Sequence, residues 1–343
     1  IQNRHTDSNF ITTIASSDSY GYTALMCASQ NGHREIVQYL LKTLQDANAD
    51  IPATINHVKN DGRTALMLAS GYGKTETVKR LLKTLQDAKA DIPLTINHAD
   101  NNGRTALMLA SFYGHAEIVQ SLLQTLQNAN ADIPAAINHA NNDRTTALML
   151  ASNNGKTETV KLLLKILQDA NADIPLAINH ANNDGNTALM IASNNGKTET
   201  VKLLLKTLQD ANADIPAAIN HASNNGTTAL NIASQNGHTE IVQSLLKTLQ
   251  DANADIPAAI SHAGNDGTTA LMIASQNGYS ETVKLLLKSL QDTNADIPLT
   301  INHANNDGNT ALILASFYSH AEIILDLLKT LQDANSDIPL AIN

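Results

Sequence analysis

Between Glu199 and Asp210 the apolar residues Val201, Leu204, Leu205 and Leu208 fall at i, i+3, i+4 and i+7, with mostly polar residues on the other faces. That period lays one apolar stripe along an α-helix. Glu199 at its start favours the positive end of the helix dipole. Upstream, Ala188 to Ser193 is a short helix of small and aliphatic residues, with Thr187 before it as a cap. Asn194-Asn195-Gly196 stops it, because glycine suits the left-handed position after a helix end. Asp184-Gly185 marks a turn ahead of both helices. Downstream, Pro216 limits the longer helix, since the residue before a proline is biased away from helical geometry. The break falls near Asn212 to Ile215, and Pro216 is suited to opening a short extra turn. Polar residues from Asn220 to Asn225 then lead into the next turn. One unit reads as turn, short helix, turn, longer helix, proline break and polar finger.

This unit recurs. Thr-Ala-Leu begins at Thr23, Thr64, Thr105, Thr146, Thr187, Thr228, Thr269 and Thr310, always 41 residues apart. The prolines, Pro52 to Pro339, keep the same step. A fixed period of this size means a solenoid or propeller. Neither helix can bury its apolar face alone, and stacking on neighbours buries both. The expected organisation is a single domain over 1–343. It holds a partial repeat at 1–19 and units at 20–60, 61–101, 102–142, 143–183, 184–224, 225–265, 266–306 and 307–343. Ser8 to Ser19 aligns with the tail of an earlier unit, and Ala341-Ile342-Asn343 stops where the next hairpin should begin. The sequence therefore reads as a fragment of a longer protein.

Composition narrows the function. A net charge of −10 argues against a nucleic-acid binder, which carries a basic stripe. One cysteine, Cys27, leaves no internal disulfide and fits a reducing, intracellular and cytoplasmic setting. No apolar run of 18 residues is present, so no membrane span is expected. The histidines His57, His98, His139, His180, His221, His262 and His303 come one per unit. Copies about 10 Å apart do not converge on a metal, so packing or hydrogen bonding is expected of them. Asp251-x-Asn253-x-Asp255 resembles the start of a calcium loop, but Ile256 and His262 stand where glycine and glutamate are required. Helix-end chemistry is the better reading. No nucleophile, base and orienting group are recognisable, and no cofactor site is expected.

Gly-x-Thr-Ala-Leu-Met-x-Ala-Ser followed by Asn-Gly-His-x-Glu-Ile-Val-x-x-Leu-Leu, as in Gly226 to Leu246 but for Asn231 in place of Met, resembles the ankyrin repeat. The likeness covers nearly the whole chain. The family pattern has Thr-Pro-Leu-His, where this chain has Thr-Ala-Leu-Met, and a period of 33. Eight extra residues fall between the Leu-Leu-Leu of the second helix and the next finger, in Lys-Thr-Leu-Gln-Asp-Ala-Asn-Ala-Asp-Ile-Pro, which implies a second helix longer by a turn or two and then a proline-led turn. The resemblance implies an all-α, ankyrin-type helical solenoid of eight stacked helix-turn-helix repeats, with short hairpin-like fingers and an extended second helix. It also implies a protein partner held on the concave side by the fingers and first helices. The missing family histidine costs a hydrogen bond between repeats. Met26, Met67, Met108, Met149, Met190 and Met272 offer apolar contact in its place.

Setting the repeats against one another separates frame from surface. The position after the turn glycine varies, as does the pair before the second glycine. In a chain with only three Phe and seven Tyr, most aromatics sit in or beside these columns. The expected partner-binding residues are Tyr22, Arg63, Tyr72, Arg104, Phe112 and Tyr113, with Phe317 and Tyr318 in the last repeat. Tyr, Phe and Arg bury much area and carry directional groups. Repeat drift is the competing account. Repeats two, four, five and seven carry Glu-Thr-Val-Lys at the start of the second helix. Repeats one, three and six carry Glu-Ile-Val-Gln, and repeat eight Glu-Ile-Ile-Leu. The sequence attaches no function to these subtypes. In repeat four Arg144 replaces the turn glycine, and a positive φ there is expected to strain it. The function expected is a monomeric scaffold for a protein partner. A targeting module of a larger enzyme or of a bacterial or protist effector acting in host cytosol is one alternative. A structural spacer is another.

Overall fold

The computed structural model describes residues 8–293 and 296–334, in two compact units, Ile1–Asp173 and Ile174–Asn343. The described residues form 24 helices, and their only β-structure is isolated bridges at three fingers. Pro339 and Ala341 to Asn343 lie outside the described residues.

Repeat two is representative of the first unit. Its first helix, Ala65–Gly71, is capped by Thr64, whose hydroxyl accepts from the Met67 amide. Equivalent threonines cap every first helix from Thr23 to Thr310. The second helix, Thr75–Asp87, buries Thr77, Val78, Leu81, Leu82, Thr84 and Leu85. The expected proline-led turn is a separate third helix, Ile92–Ile96, with Pro93 near its start. Asp91 caps it by accepting from the Leu94 amide at 2.9 Å. In the second unit, Asp251-x-Asn253-x-Asp255 does the same work: Asp251 ends a helix, Asn253 turns left-handed at φ 53° and Asp255 caps the next helix. The extra residues of the 41-residue step are thus shared by a helix end, a left-handed turn and a short helix.

The core is a row of equivalent apolar columns. Met26, Met67, Met108, Met149, Met190 and Met272 are all essentially inaccessible. Repeat six has Asn231 instead, whose Nδ2 donates to the His262 carbonyl at the end of the same repeat at 3.1 Å. Fingers are closed by short backbone bonds, such as the Asp100 amide to the Arg104 carbonyl at 2.9 Å. Adjacent fingers are then tied together. The Asn101 amide donates to the Asp61 carbonyl at 3.0 Å and its Nδ2 to the Asn60 carbonyl at 3.1 Å. The same double donation recurs at Asn60, Asn142, Asn224, Asn265 and Asn306. The periodic histidines join this ladder: Nε2 of His98, His139, His221, His262 and His303 lies 2.9–3.1 Å from the preceding finger's glycine carbonyl. Their role is structural, as their spacing implies.

Two columns carry a cost. After the second helix the left-handed residue is Asn48, Asn130, Asn171, Asn212 or Asn253, but in repeat two it is Lys89 at φ 52°. Arg144 is left-handed too, at φ 57°. Separately, Ser29, Ser70, Ser111, Ser152, Ser193, Ser234 and Ser275 are fully buried with no hydrogen-bond partner for the hydroxyl.

Asparagine tolerates the left-handed region better than lysine, so Lys89→Asn is expected to stabilise the chain by about 0.5–1 kcal/mol in urea unfolding. A buried unpaired hydroxyl costs about 1–3 kcal/mol. Ser152→Ala is therefore expected to raise stability by about 1 kcal/mol; a loss would mean that the hydroxyl has a hidden partner.

Candidate functional site

The structure divides the expected residues of the first unit between two places, fingers and helix ends. On the fingers, Tyr22 is half-buried and the Lys59 ammonium lies 4.9 Å from its ring centroid. Lys59 also pairs with Asp61. Arg63 donates from Nε to Asp61 Oδ2 at 2.8 Å and reaches it again through Nη2. On the next finger Arg104 grips Asp100 in the same way, at 3.0 Å and 2.8 Å. Asp100 is only 5% exposed. Its other oxygen accepts from the Asn102 and Arg104 amides, so the carboxylate shapes the turn and holds the guanidinium at once.

These ion pairs shift the titration of their members. Partial burial alone would raise the Asp61 carboxyl, but hydrogen bonds from Arg63 and Lys59 outweigh it and bring it down to about 2. The hydrogen bond that Arg63 donates to Asp61 raises Arg63 correspondingly. Both arginines are thus held side-on by a carboxylate of their own finger rather than free to search solvent. Lys59, Asp61 and Asp100 complete this arrangement, and the reading from sequence did not include them. Lys59 stands where most fingers have Asp or Asn, which is the signal that marks it.

At the helix ends, Tyr72 is the residue after the first helix of repeat two and is 54% exposed. Phe112 is half-buried, and Tyr113 is 53% exposed. Their rings meet edge to face at 4.9 Å. Tyr113 also stacks on His115, 6.1 Å between centroids. Gly71 lies beside this ring: a Cβ built there would be in ordinary van der Waals contact with it, 3.9 Å from Tyr113 Cε2. His115 Nε2 approaches the Gly71 carbonyl at 3.3 Å. Burial pushes the His115 imidazole down, against that hydrogen bond and with Lys156 and Lys74 adding to the effect. His115, held by the Gly71 carbonyl, therefore backs Tyr113, and the reading from sequence did not include it.

Phe317 and Tyr318 lie in the second unit. They repeat the geometry of Phe112 and Tyr113, edge to face at 5.0 Å, with Tyr318 stacked on His320 at 6.4 Å. His320 Nε2 reaches the Gln276 carbonyl at 3.1 Å. Phe317 is 78% exposed. Ser319, in place of glycine, takes the left-handed turn at φ 63°.

Aromatic faces and held guanidinium groups suit recognition. Among the described residues no group of three or more His, Cys, Asp or Glu is placed to hold a metal ion. Among them, too, no helix is long and apolar enough to cross a membrane.

The comparisons with known proteins agree with this geometry. A family model described as ankyrin repeats (3 copies) matches residues 3–54, 51–135, 128–218, 166–259, 208–297 and 256–338. Among solved structures, the chain is similar to the ankyrin repeat domain of Bcl-3, a unique member of the IkappaB protein family. The identity is 27% and the TM-score 0.51, over 74% of this chain and 94% of that one. No curated protein sequence gives a significant match.

Because Asp61 is ionised more readily in the folded chain, its stabilisation is complete above about pH 4 and is lost as the pH falls toward 2. Urea midpoints measured from pH 5 to pH 2 are expected to fall less steeply for Asp61→Asn than for the wild type. Equal slopes would mean that the Asp61 network contributes nothing to folding.

Proposed function

The chain belongs to the ankyrin repeat family, and from that premise we propose that it is a scaffold gripping a protein partner through the fingers and first helices of repeats one to three. Ankyrin repeats are in general protein–protein interaction modules, typically without catalysis of their own. The observation that carries the finer reading is the exposure of Tyr72 and Tyr113 beside half-buried Phe112, in a chain that is only 3% aromatic. Tyr113 is also backed by the His115 ring, which supports a built surface over drift.

The mechanism is preorganisation. Ordering a long side chain at an interface costs about 0.5–1.5 kcal/mol. Here Arg63, Arg104 and Tyr113 are ordered on folding, by Asp61, Asp100 and His115. Tyr22 and Tyr72 extend the surface on either side of these anchors. Phe317 and Tyr318 supply a second, separate aromatic contact. We further read the chain as a monomer of a reducing intracellular compartment, with a protein rather than a nucleic acid as its partner. The net charge of −10 and the exposed thiol of Cys27 support this.

The test is a double variant, Tyr72→Ala with Tyr113→Ala, against a partner identified by affinity capture with the wild type. Hot-spot aromatics contribute about 2 kcal/mol or more each, so affinity is expected to fall at least about a hundredfold. Thermal melting is expected to move little, because both rings are half exposed. Tyr72→Ala with Phe112→Ala is expected to weaken capture too, with a larger loss of stability. A partner that binds the first variant as tightly as the wild type rules out this surface.

A further inference from the structure

The two second-helix subtypes acquire a meaning once neighbouring helices are compared. Where a Glu-Thr-Val-Lys repeat precedes one of another type, its lysine reaches across to the next repeat's glutamate. Lys79 pairs with Glu117 in the first unit, and Lys202 with Glu240 and Lys284 with Glu322 in the second. Each spans 38 residues. The same lysines also brace their own helices through Glu76, Glu199 and Glu281. The hydrogen bonds that Lys284 donates to Glu322 and to Glu281 hold its ammonium above its usual range, and Lys284 in turn pulls Glu322 down.

Where Glu-Ile-Val-Gln precedes Glu-Thr-Val-Lys, no lysine makes this clamp among the described residues; between repeats one and two Arg34 approaches Glu76 at 3.9 Å instead. At the junction of repeats three and four, Gln120 faces a groove whose apolar wall is Leu123, Ile133 and Leu162. At the junction of repeats six and seven the equivalents are Gln243, Leu246, Ile256 and Leu285. These grooves reach the isoleucine of the third helix, whereas those beside the clamps do not. Repeat one to repeat two has the same order of subtypes, but there Arg80 replaces the leucine and its Nη2 donates to Gln38 at 3.2 Å.

The finger side is tied at both kinds of junction by the asparagines and histidines. The helix starts differ. Thr239 and Thr282 hydroxyls meet at 2.8 Å between repeats six and seven, but Thr159, in the column of Thr282, is buried with its hydroxyl unpartnered. We propose that the subtypes set where the stack opens: Lys–Glu junctions stay shut, while the outer seams between repeats three and four and between six and seven are compliant joints. They pivot about the tied fingers. The weaker of the two is the seam between repeats three and four.

Ile36 provides the means to read these joints. It is 51% exposed, whereas its equivalents Ile118 and Ile241 are inaccessible, and Thr77, Thr159 and Thr282 nearly so. This column is therefore covered by the preceding repeat, and a thiol placed in it reports opening of one junction. In the full chain, with Cys27→Ser removing the native thiol, Thr159→Cys is expected to react with a soluble disulfide reagent faster than Ile118→Cys. The smaller packing loss at Thr159 biases the comparison the other way. Adding Gln120→Lys, which sets an ammonium 38 residues before Glu158, is expected to slow Thr159→Cys labelling about two- to fivefold. Adding Lys79→Gln to Ile118→Cys is expected to accelerate labelling by a similar factor, and both effects should shrink at high salt. Equal labelling at the two junctions, or rates insensitive to Gln120→Lys and Lys79→Gln, would overturn the proposal.

Discussion

The rest of the structure depends on a hydrogen bond that spans a fixed 41 residues. Each finger asparagine gives its amide and its carboxamide to carbonyls of the finger before it. A histidine adds a third bond to the same finger across 36 residues. Buried backbone groups need partners, and these carbonyls find theirs only if the next repeat arrives in register. One inserted residue between His98 and Asn101 would separate donors meant for the same finger. The absence of insertions follows from this requirement. Helix packing alone would tolerate a longer loop.

Much of the fold is legible in the sequence because its determinants are local. Thr187 caps, Gly196 terminates and Pro216 breaks through interactions within a few residues of each. The third helix is only half legible: Pro216 marks its start, but its extent depends on Ile215 and Ile219 finding burial against other helices. The site is less legible still. Tyr113 stands out as an aromatic in a varying column, yet the His115 ring that backs it is held by the Gly71 carbonyl, one repeat away. Arg104 is visible as a candidate, while its holder Asp100 looks from sequence like one more turn residue. The subtypes at Lys79 and Gln120 carry no meaning until two neighbouring repeats are read together. Sequence inspection compares each residue with its own column, whereas these interactions run across columns and between repeats.

The frame and the surface divide the labour by residue type. Asparagine, histidine, threonine and glycine recur because each meets a geometric demand that repeats with the fold. Arginine and the aromatics are rare and concentrated, and they rest on those recurring groups. His115 serves both, tying two repeats through the Gly71 carbonyl while backing the Tyr113 ring. The side chains exposed on repeats one to three are thus held by the same kind of bond that ties the fingers together.

Every finger bond described has its donor in the later repeat and its acceptor in the earlier one. The array therefore has a polarity, like a polymer whose two ends are chemically different. A whole 41-residue block copied in tandem brings one new set of donors and one new set of acceptors, and leaves none unmatched at the seam. Genetic duplication of a block is structurally silent in a way that duplication of any other length is not. The near-identity of the repeats is what such a history leaves behind, and the scattered tyrosines and arginines are what has since been added to it.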